Sequence, residues 1–461
     1  MDLYIDIINN KYELSNKHYN KIFTTENYYE YLYYFDIMNV YPLFPTIITL
    51  KIMNDDNDIK SIINNDDKLL IKSNNKDLND TILLMNEKIK ELEFTEEEIN
   101  KRKVGMIRKF FSYELVDELT INLNAEYVTV AWLKCYEILK FYDLISTEST
   151  TINYFGICEQ PGAFIYAINA YVKTELGKEF DFIIQSLVDL TNKKIFKPEK
   201  HLYETYKNKY DYGHDKTGDV TKLNNIKYYR KKYYDRHFEL ISADCGLDCS
   251  DDFSAQEKGL LNVIIGQFLL AISLADSGTN YFFKLFTMYE ELTKQLIYVL
   301  SQLFDNVHIC RTLTTKPESG EIYCVCKNFK YTKKYMDTIL DDIYKWYDMY
   351  TNNHNVSLVS SISKKYYDEI YDINMILAKR RITSMNFLYF RFKNNEYSQN
   401  NKQIYEYINE LVTHYVKYFI KIYNIQSLED QNKLVTEKFI SKWKKDDNND
   451  KNIKFVSKFK K

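Results

Sequence analysis

The sequence predicts an α/β protein whose central part is a doubly wound parallel sheet, with mainly helical flanks. Two observations lead to this fold class. Ten of the eleven glycines lie between positions 156 and 320, so special backbone geometry is concentrated in the middle of the 461-residue chain. Short apolar runs alternate there with stretches of helical periodicity, which is the pattern of consecutive strand–helix–strand units.

The composition excludes several classes of protein. With 45% hydrophobic and 16% aromatic residues and a net charge of −3, the chain is not a wholly disordered one. No run of 18 to 20 uncharged apolar residues predicts a membrane span, and the acidic start, MDLYIDIINN, lacks the basic region of a secretory signal. We therefore expect a soluble intracellular protein that does not bind a membrane.

All seven cysteines lie between Cys135 and Cys326. Cys324 and Cys326 stand in an apolar run, and Cys245 and Cys249 flank a glycine. A structural zinc site needs four ligands at loop spacings, and no second Cys or His pair completes one. We therefore expect no metal site and interpret the cysteines as buried reduced thiols.

Residues 1–104 form an N-terminal region whose role the sequence does not indicate. Segment 41–50 contains two prolines followed by an apolar run and predicts one strand. Segment 54–80 is rich in Asn, Asp and Lys and predicts loops, whereas segment 82–94 has apolar residues at helical spacing.

Residues 105–330 contain the predicted sheet. Its strands are expected at 153–158, 180–187, 238–243, 281–283, 307–310 and 322–326, and helices at 131–139, 163–172, 255–275 and 287–304. Ligands of such sheets bind at the carboxyl ends of the strands. Glu159, Asp244 and Lys284 each follow a predicted strand, so we expect these three ionisable groups to lie together.

Residues 331–461 lack glycine and form a helical C-terminal region. Segment 403–423 has the apolar periodicity of an amphipathic helix. The tail 438–461 contains nine Lys and three Asp. Such a tail either contacts RNA electrostatically or is a solvated terminus.

Segment 157–164, ICEQPGAF, lies where the first central strand turns into a helix. Backbone N–H groups at such a turn can meet a polar ligand group; Pro161 rigidifies the turn and Gly162 permits close approach. This segment resembles the S-adenosylmethionine-binding motif C-E-A-P-G-G-F of the FtsJ-like ribose 2′-O-methyltransferases. It is most similar to the branch of that family that methylates the cap-proximal nucleotide of mRNA.

Further segments resemble motifs of the same family, in the same order. They are 131–139 (AWLKCYEIL, family R-A-x-x-K-L-x-E), 218–226 (GDVT…NI, family G-D-I-T…N-I), 243–248 (ADCGLD, family A-D-G-G-F-D), 256–257 (QE), 278–286 (GTNYFFKLF, family G-G-x-F-V-x-K-x-F) and 319–327 (SGEIYCVCK, family N-S-E-x-Y-x-V-C-K). The resemblance covers about residues 125–330. It implies a Rossmann-like methyltransferase fold that uses S-adenosyl-L-methionine as cofactor.

The resemblance also implies a catalytic tetrad of Lys134, Asp244, Lys284 and Glu321. A ribose hydroxyl is a poor nucleophile, so the enzyme must orient it and remove its proton. We assign Lys284 to this step, either as the base or as the group that steers the hydroxyl. Burial and the charge of Lys134 would favour a neutral Lys284 amine, while the two carboxylates would oppose that change.

By the same resemblance, three segments contact the cofactor. Glu159, Gln160, Pro161, Gly162, Ala163 and Phe164 are expected to line its methionine end, Asp219 and Val220 to meet the adenine, and Asp244 to lie near the transferred methyl group. Strand 180–187 ends without an acid for the ribose hydroxyls. Ala163 replaces the family's second glycine. Segment 315–318 stands where the family often has S-R-P, so Arg311 or Lys316 would have to contact the RNA.

The predicted activity is methylation of the cap-proximal ribose of mRNA, with capped mRNA as the substrate and other capping enzymes as partners. The alternatives are methylation of an internal ribose in ribosomal or transfer RNA, and a non-catalytic RNA-binding subunit of a capping complex. Segment 227–236 interleaves basic and aromatic residues; it either contacts RNA or forms a charged helix with one aromatic face.

The abundance of Tyr, Asn, Lys and Ile is typical of an A/T-rich genome, such as that of a large DNA virus. We expect a cytoplasmic protein of the viral factory or virion if the chain is viral, and a nuclear protein if it is cellular.

Overall fold

The structure is a computed structural model that describes residues 48–52, 58–63, 70, 76–91, 111–145, 148–188, 198–246, 256–316, 319–353, 355–393 and, with gaps, 413–436. The strands are β1 (Ile48–Ile52), β2 (Thr151–Ile157), β3 (Glu179–Gln185), β4 (Leu240–Ala243), β5 (Asn280–Leu285), β6 (Phe304–Arg311) and β7 (Ile322–Phe329). The α-helices are α1 (Ile59–Ile62), α2 (Lys76–Glu91), α3 (Phe111–Ile121), α4 (Val130–Tyr142), α5 (Ala163–Tyr171), α6 (Lys200–Thr205), α7 (Leu223–Lys232), α8 (Gln256–Leu274), α9 (Glu291–Leu303), α10 (Lys333–Asn352) and α11 (Lys364–Lys393).

The seven strands form one sheet in the order β1-β6-β7-β5-β4-β2-β3. Strands β3, β2, β4 and β5 are parallel to their neighbours in this order. The six central strands predicted from the sequence are all present. Because β2, β4 and β5 run side by side in one direction, their carboxyl ends meet at one edge of the sheet, where the candidate site lies.

The prediction of a wholly parallel sheet is wrong for β7, which is antiparallel to both β5 and β6. The cause is the connection between β6 and β7, residues 312–321, which contains no helix among the residues described. A parallel crossover needs a dozen or more residues, and usually a helix, to return to the starting edge of the sheet. The short connection therefore produces a hairpin in a mixed sheet.

The predicted N-terminal strand extends this sheet. Residues 48–50 of segment 41–50 belong to β1, and the rest of the segment lies outside the described residues. β1 pairs antiparallel with β6, from Ile48 opposite Arg311 to Ile52 opposite Val307. Segment 54–80, predicted as loops, includes the short helix α1 and the start of α2. A strand from the N-terminal region thus covers what would otherwise be a sheet edge.

Helices cover both faces of the sheet, as predicted. Successive residues of a strand point to opposite faces. On β5, Phe282 packs against Phe164 of α5, with ring centroids 5.6 Å apart, whereas Phe283 belongs to the hydrophobic core built with α7, α8, α9 and α10. Lys284 has the same strand parity as Phe282, so its side chain emerges on the face that α4 and α5 cover.

Helix α8 has the length and hydropathy of a membrane span, which the sequence analysis did not anticipate. In the fold, however, 72% of its apolar window is buried inside the protein. Leu260, Ile264 and Phe268 are among its core residues. Its apolar character is therefore that of a central core helix.

Two C-terminal predictions are tested only slightly by the described residues. Segment 403–423 lies mostly outside them, and tail 438–461 lies entirely outside them. Residues 428–435 pack back on the central domain: the backbone N–H groups of Leu434 and Val435 donate to the buried carboxylate of Glu126. The last described residues of the C-terminal region therefore lie beside α5 and α6.

Candidate active site

Lys134 and Glu321 form the first of two ion pairs at the site. Lys134 lies on α4, whose N-terminus is capped by the Thr129 side chain. Its ammonium donates to Oε1 of Glu321 at 2.7 Å, and the two side chains are 12% and 14% exposed. Glu321 immediately precedes β7. Two segments 187 residues apart in sequence are thus joined by a largely desolvated pair.

Lys284 and Asp244 form the second ion pair. Lys284 is the fifth residue of β5, and Asp244 follows the last residue of β4. Nζ of Lys284 lies 2.5 Å from a carboxylate oxygen of Asp244 and 3.4 Å from its backbone carbonyl oxygen. Neighbouring parallel strands bring the two residues together, which fulfils the expectation that strand ends gather these groups.

The charges around Lys284 decide its protonation. Burial lowers the pKa of Lys284, but the negative charges of Asp244 and Glu321 outweigh it and raise the pKa above the ordinary value. Burial raises the pKa of Glu321, and the charges of Lys134 and Lys284 more than reverse that effect. The resting site therefore contains an ammonium at Lys284. Of the two opposing influences expected from the sequence, burial acts towards the neutral amine, and the two carboxylates prevail over it.

The loop after β2 contains the residues predicted to line the methionine end of the cofactor. Gly162 has φ +115° and begins α5, and a Cβ atom there would lie 2.6 Å from Cδ2 of Leu202. Gln160 and Pro161 are half-buried, while Ala163 and Phe164 are buried in the first turn of α5. Gln160 and Pro161 therefore present the accessible surface of this loop.

Glu159 is buried beneath the loop. Its Oε1 accepts from the backbone N–H groups of Phe164 at 2.9 Å and Ile165 at 3.3 Å, and its Oε2 accepts from the Tyr154 hydroxyl at 2.9 Å. Burial, and next the charge of Asp244, raise the pKa of Glu159 to about 8. Glu159 thus stabilises the N-terminus of α5 and so shapes the loop from below.

Asp219 and Val220 lie in a second loop at the same edge of the sheet. Oδ1 of Asp219 accepts from the backbone N–H and the hydroxyl of Thr221, and Val220 is buried. A Cβ on the neighbouring Gly218, which has φ +66°, would lie 1.8 Å from the carbonyl oxygen of Ser186. Only glycine allows this loop to pack so closely on the end of β3.

Gln185 joins these two loops, and the sequence analysis did not identify it. It is the fully buried last residue of β3. Its Oε1 accepts from the backbone N–H of Cys158 at 3.1 Å, and its Nε2 donates to the carbonyl oxygen of Gly218 at 2.6 Å. The sequence signal that could have identified Gln185 is an amide at a strand end that lacks an acid. An amide can donate one hydrogen bond and accept another at the same time.

Cys158 and Cys245 form a disulfide, so the interpretation of all cysteines as reduced thiols is wrong for this pair. Each cysteine follows one of the adjacent strands β2 and β4, and their Cα atoms lie 5.1 Å apart, a separation that a disulfide spans. The disulfide links the loop of Glu159 to the residue after Asp244. Cys135, Cys310, Cys324 and Cys326 are buried free thiols, as expected; Cys249 lies outside the described residues.

Segment 227–236 uses its basic groups internally. Arg230 is buried and donates to the carbonyl oxygens of Ser273 and Lys333, while Lys232 and Arg236 pair with Asp211 and Asp181. These contacts favour the alternative of a charged helix with an aromatic face.

Arg311 is likewise engaged within the protein, where it donates to the carbonyl oxygens of Lys316 and Ser319. The ammonium of Lys316 lies 5.6 Å from the ring centroid of Tyr113. Arg311 therefore holds the loop between β6 and β7 in shape.

The FtsJ-like methyltransferase family matches residues 127–329, which include both ion pairs and both loops predicted to contact the cofactor. These residues form an FtsJ-like methyltransferase domain. Among similar proteins is the Drosophila melanogaster cap-specific mRNA (nucleoside-2′-O-)-methyltransferase 2, 28% identical over 243 residues, which are 50% of this chain and 34% of that protein. The Mus musculus protein of the same name is 28% identical over 226 residues, 47% of this chain and 29% of that protein.

A viral relative matches more of the chain. The African swine fever virus protein named "Probable methyltransferase EP424R" is 28% identical over 307 residues, 61% of this chain and 70% of that protein. By contrast, the chain spans about a third of the length of the fly and mouse relatives. A solved structure described as a ribosomal RNA methyltransferase from Plasmodium falciparum has a TM-score of 0.31 and 19% identity, covering 44% of this chain and 98% of that chain.

Elements outside the FtsJ-like domain border its site. Met85 of α2 and Arg381 of α11 lie in one cleft with Phe286 and Gly320, which neighbour Lys284 and Glu321 in sequence. Helices α2 and α11 also pack against each other. The flanks therefore contribute directly to the surroundings of the two ion pairs, and no motif in the sequence indicated this.

Proposed function

We propose that this protein is an S-adenosylmethionine-dependent RNA ribose 2′-O-methyltransferase that methylates the cap-proximal nucleotide of mRNA. The observation that supports this most is the presence of two largely desolvated ion pairs, Lys134–Glu321 and Lys284–Asp244, beside the proposed cofactor loops of an FtsJ-like domain. Two lysines and two carboxylates can hold a hydroxyl and accept its proton without forming a covalent intermediate.

The loops at the ends of β2, β3 and β4 fit S-adenosylmethionine. Gly162 and Gly218 occur where a Cβ would collide with the walls, so the loops are shaped as a close cradle. The loop Glu159–Phe164, the pair Asp219 and Val220, and Asp244 would hold the cofactor. The carboxylates of Asp219 and Asp244 suit a cationic ligand. When bound, S-adenosylmethionine supplies an activated methyl group on a positively charged sulfur.

Lys284 performs the proton-handling step. Its ammonium is held by Asp244 and stabilised further by Glu321, so it must lose a proton before its amine can accept one from the ribose hydroxyl. A further positive charge bound nearby lowers the pKa of Lys284, since like charges disfavour the ammonium. Lys134 holds Glu321 in place and limits how strongly that carboxylate stabilises the ammonium of Lys284.

The names of two relatives state cap-specific mRNA methylation, which supports capped mRNA as the substrate. We infer that capped mRNA is the substrate and that other capping enzymes are partners. A viral protein of this kind would act in the cytoplasm, in the viral factory or virion, and a cellular one in the nucleus.

One assay tests the proposal. The purified protein is incubated with labelled S-adenosylmethionine and with capped, uncapped and internally structured RNAs of one sequence, and the methylated nucleotide is then mapped. We expect 2′-O-methylation of the first transcribed nucleotide of capped RNA alone. Methylation of uncapped RNA at internal sites contradicts cap specificity. Cofactor binding without transfer to any RNA indicates a non-catalytic RNA-binding subunit.

A further inference from the structure

A cleft lies on the side of the ion pairs opposite the cofactor loops. The cofactor loops follow β2, β3 and β4, whereas the cleft borders the end of β5 and the start of β7, which lie beyond β4 in the sheet order. Its lining includes Met85 and Asn86 of α2, Gln256, Phe286, Gly320 and Arg381.

The cleft shares walls with the ion pairs. Phe286 lies two residues after Lys284, whose ammonium is 5.7 Å from the centroid of the Phe286 ring. Gly320 directly precedes Glu321; a Cβ there would lie 2.8 Å from Nη1 of Arg381 and 2.9 Å from the carbonyl oxygen of Phe286. Glycine therefore lets the Arg381 guanidinium approach the backbone beside Glu321.

The groups in the cleft are suited to a nucleotide. Phe286 provides aromatic surface, and Asn86 and Gln256 provide amides. Arg381 provides a guanidinium, whose Nη1 donates to Sδ of the buried Met85 at 3.7 Å. The acidic group of the lining, Glu257, is fully buried and accepts from Thr287 and from backbone N–H groups, so it builds the wall. A polyanion with stacking bases matches this combination of arginine and aromatic surface.

We propose that this cleft binds the RNA nucleotide that flanks the acceptor ribose, with Arg381 contacting its phosphate and Phe286 packing on its base. The inference rests on the proposed function. Transfer from a sulfur to a hydroxyl oxygen requires donor and acceptor on opposite sides of the methyl group, so the RNA must approach from the side away from the cofactor loops. Helices α2 and α11, which lie outside the FtsJ-like domain, thereby select and position the RNA.

Arg381→Gln tests the cleft. We expect the KM for RNA to rise about tenfold with kcat within about twofold, and the slope of log KM against log salt to fall by about one, as for a lost phosphate contact. The matched control is Lys379→Gln, which removes the same charge from an exposed position on the same helix and should leave the KM within about twofold. Thermal unfolding and cofactor affinity check that both variants are folded.

Asn86→Ala is the second variant, because Asn86 lines the cleft from α2 and its replacement does not change the charge. We expect about a threefold higher KM and an unaltered salt slope. A wild-type KM for RNA in both Arg381→Gln and Asn86→Ala overturns the inference. If the wild-type protein methylates no RNA, the proposed function fails separately. In that case RNA affinity, measured by fluorescence anisotropy, still tests whether the cleft binds RNA. Unchanged RNA affinity in both variants overturns the inference.

Discussion

Tyr323 donates a hydrogen bond of 2.8 Å to Oε1 of Glu321. The same oxygen accepts from Lys134 at 2.7 Å. Tyr323 is 1% exposed and lies directly opposite Lys284 in the β5–β7 pair. Burial and the charge of Glu321 raise its pKa far above the ordinary value, so the hydroxyl keeps its proton and remains a donor. Tyr323 thus positions a carboxylate that acts on both lysines.

Tyr323→Phe should lower kcat about tenfold, with little change in the KM for RNA. A hydrogen bond to a charged group contributes about 1.5–3 kcal/mol, and about 1.4 kcal/mol corresponds to a factor of ten in rate. Steady-state methylation kinetics measure the effect. Tyr281→Phe is the control, because the Tyr281 hydroxyl is buried and has no hydrogen-bond partner among the described residues. Equal kinetics in the two variants would show that Tyr323 does not position Glu321.

Lys284→Ala should abolish methyl transfer, by at least about 100-fold, because it removes the group that handles the proton. Cofactor affinity, measured by calorimetry, should remain within about threefold of wild type, since the cofactor loops follow other strands. Lys345→Ala, at an exposed position of α10, is the control. Loss of both cofactor binding and transfer would count against the assigned role of Lys284.

The rate of transfer should rise with pH across the range 7 to 9.5. Although burial lowers the pKa of Lys284, the charges of Asp244 and Glu321 raise it above its ordinary value, so the fraction of Lys284 in the amine form grows as the pH rises through this range. Single-turnover methylation at saturating cofactor and RNA gives the profile. A flat profile would favour Lys284 as an ammonium that only steers the hydroxyl.

Glu159→Gln should alter how stability depends on pH. The pKa of Glu159 is raised to about 8 in the folded protein, against 4.5 as the ordinary value. Between these values the folded state holds a proton that the unfolded state has lost, so wild-type stability falls as pH rises through this window. Because glutamine does not titrate, the stability of the variant relative to wild type should increase as the pH rises to about 8.

The measurement is the difference in thermal unfolding midpoint between wild type and Glu159→Gln from pH 5 to pH 9. Glu87→Gln, at an exposed position of α2, should show a constant difference from wild type. A constant difference for Glu159→Gln as well would place an ionised carboxylate under the loop throughout the range.

A protein shortened to residues 105–330 should aggregate. Removing β1 exposes the edge of β6, and removing α10 exposes core residues such as Ile343 and Trp346. Unpaired strand edges and large apolar patches promote association. Size-exclusion chromatography compares it with a protein lacking only residues 437–461, which should remain monodisperse. A monodisperse shortened protein would show that the flanks are dispensable for folding.

The strands and the proximity of Glu159, Asp244 and Lys284 could be predicted from local pattern and strand order, whereas the two loops and the grouping of Lys134 with Glu321 were implied only by the resemblance to the family. The position of Asp244 after β4 and of Lys284 near the end of β5 follows once the sheet is parallel there. The antiparallel direction of β7 was also predictable, because the connection after Arg311 is too short for a crossover helix.

Other features depend on contacts between distant segments that no local pattern encodes. Cys158 and Cys245 are 87 residues apart and meet because β4 inserts next to β2. The local sequence predicts that Arg230 is an exposed basic residue of a polar helix. In the fold, α10 packs over Arg230, which donates to the carbonyl oxygen of Lys333. The approach of Arg381 to Gly320 likewise requires α11 to fold back over the domain.

The side-chain amide of Gln185 has a consequence for ligand discrimination. It fastens the loops of Cys158 and Gly218 to each other, although about sixty residues separate them in sequence. A ligand that displaces one loop must therefore shift the other. In the proposed cofactor site, an analogue enlarged at only one of its ends would therefore also disturb the loop that binds its other end.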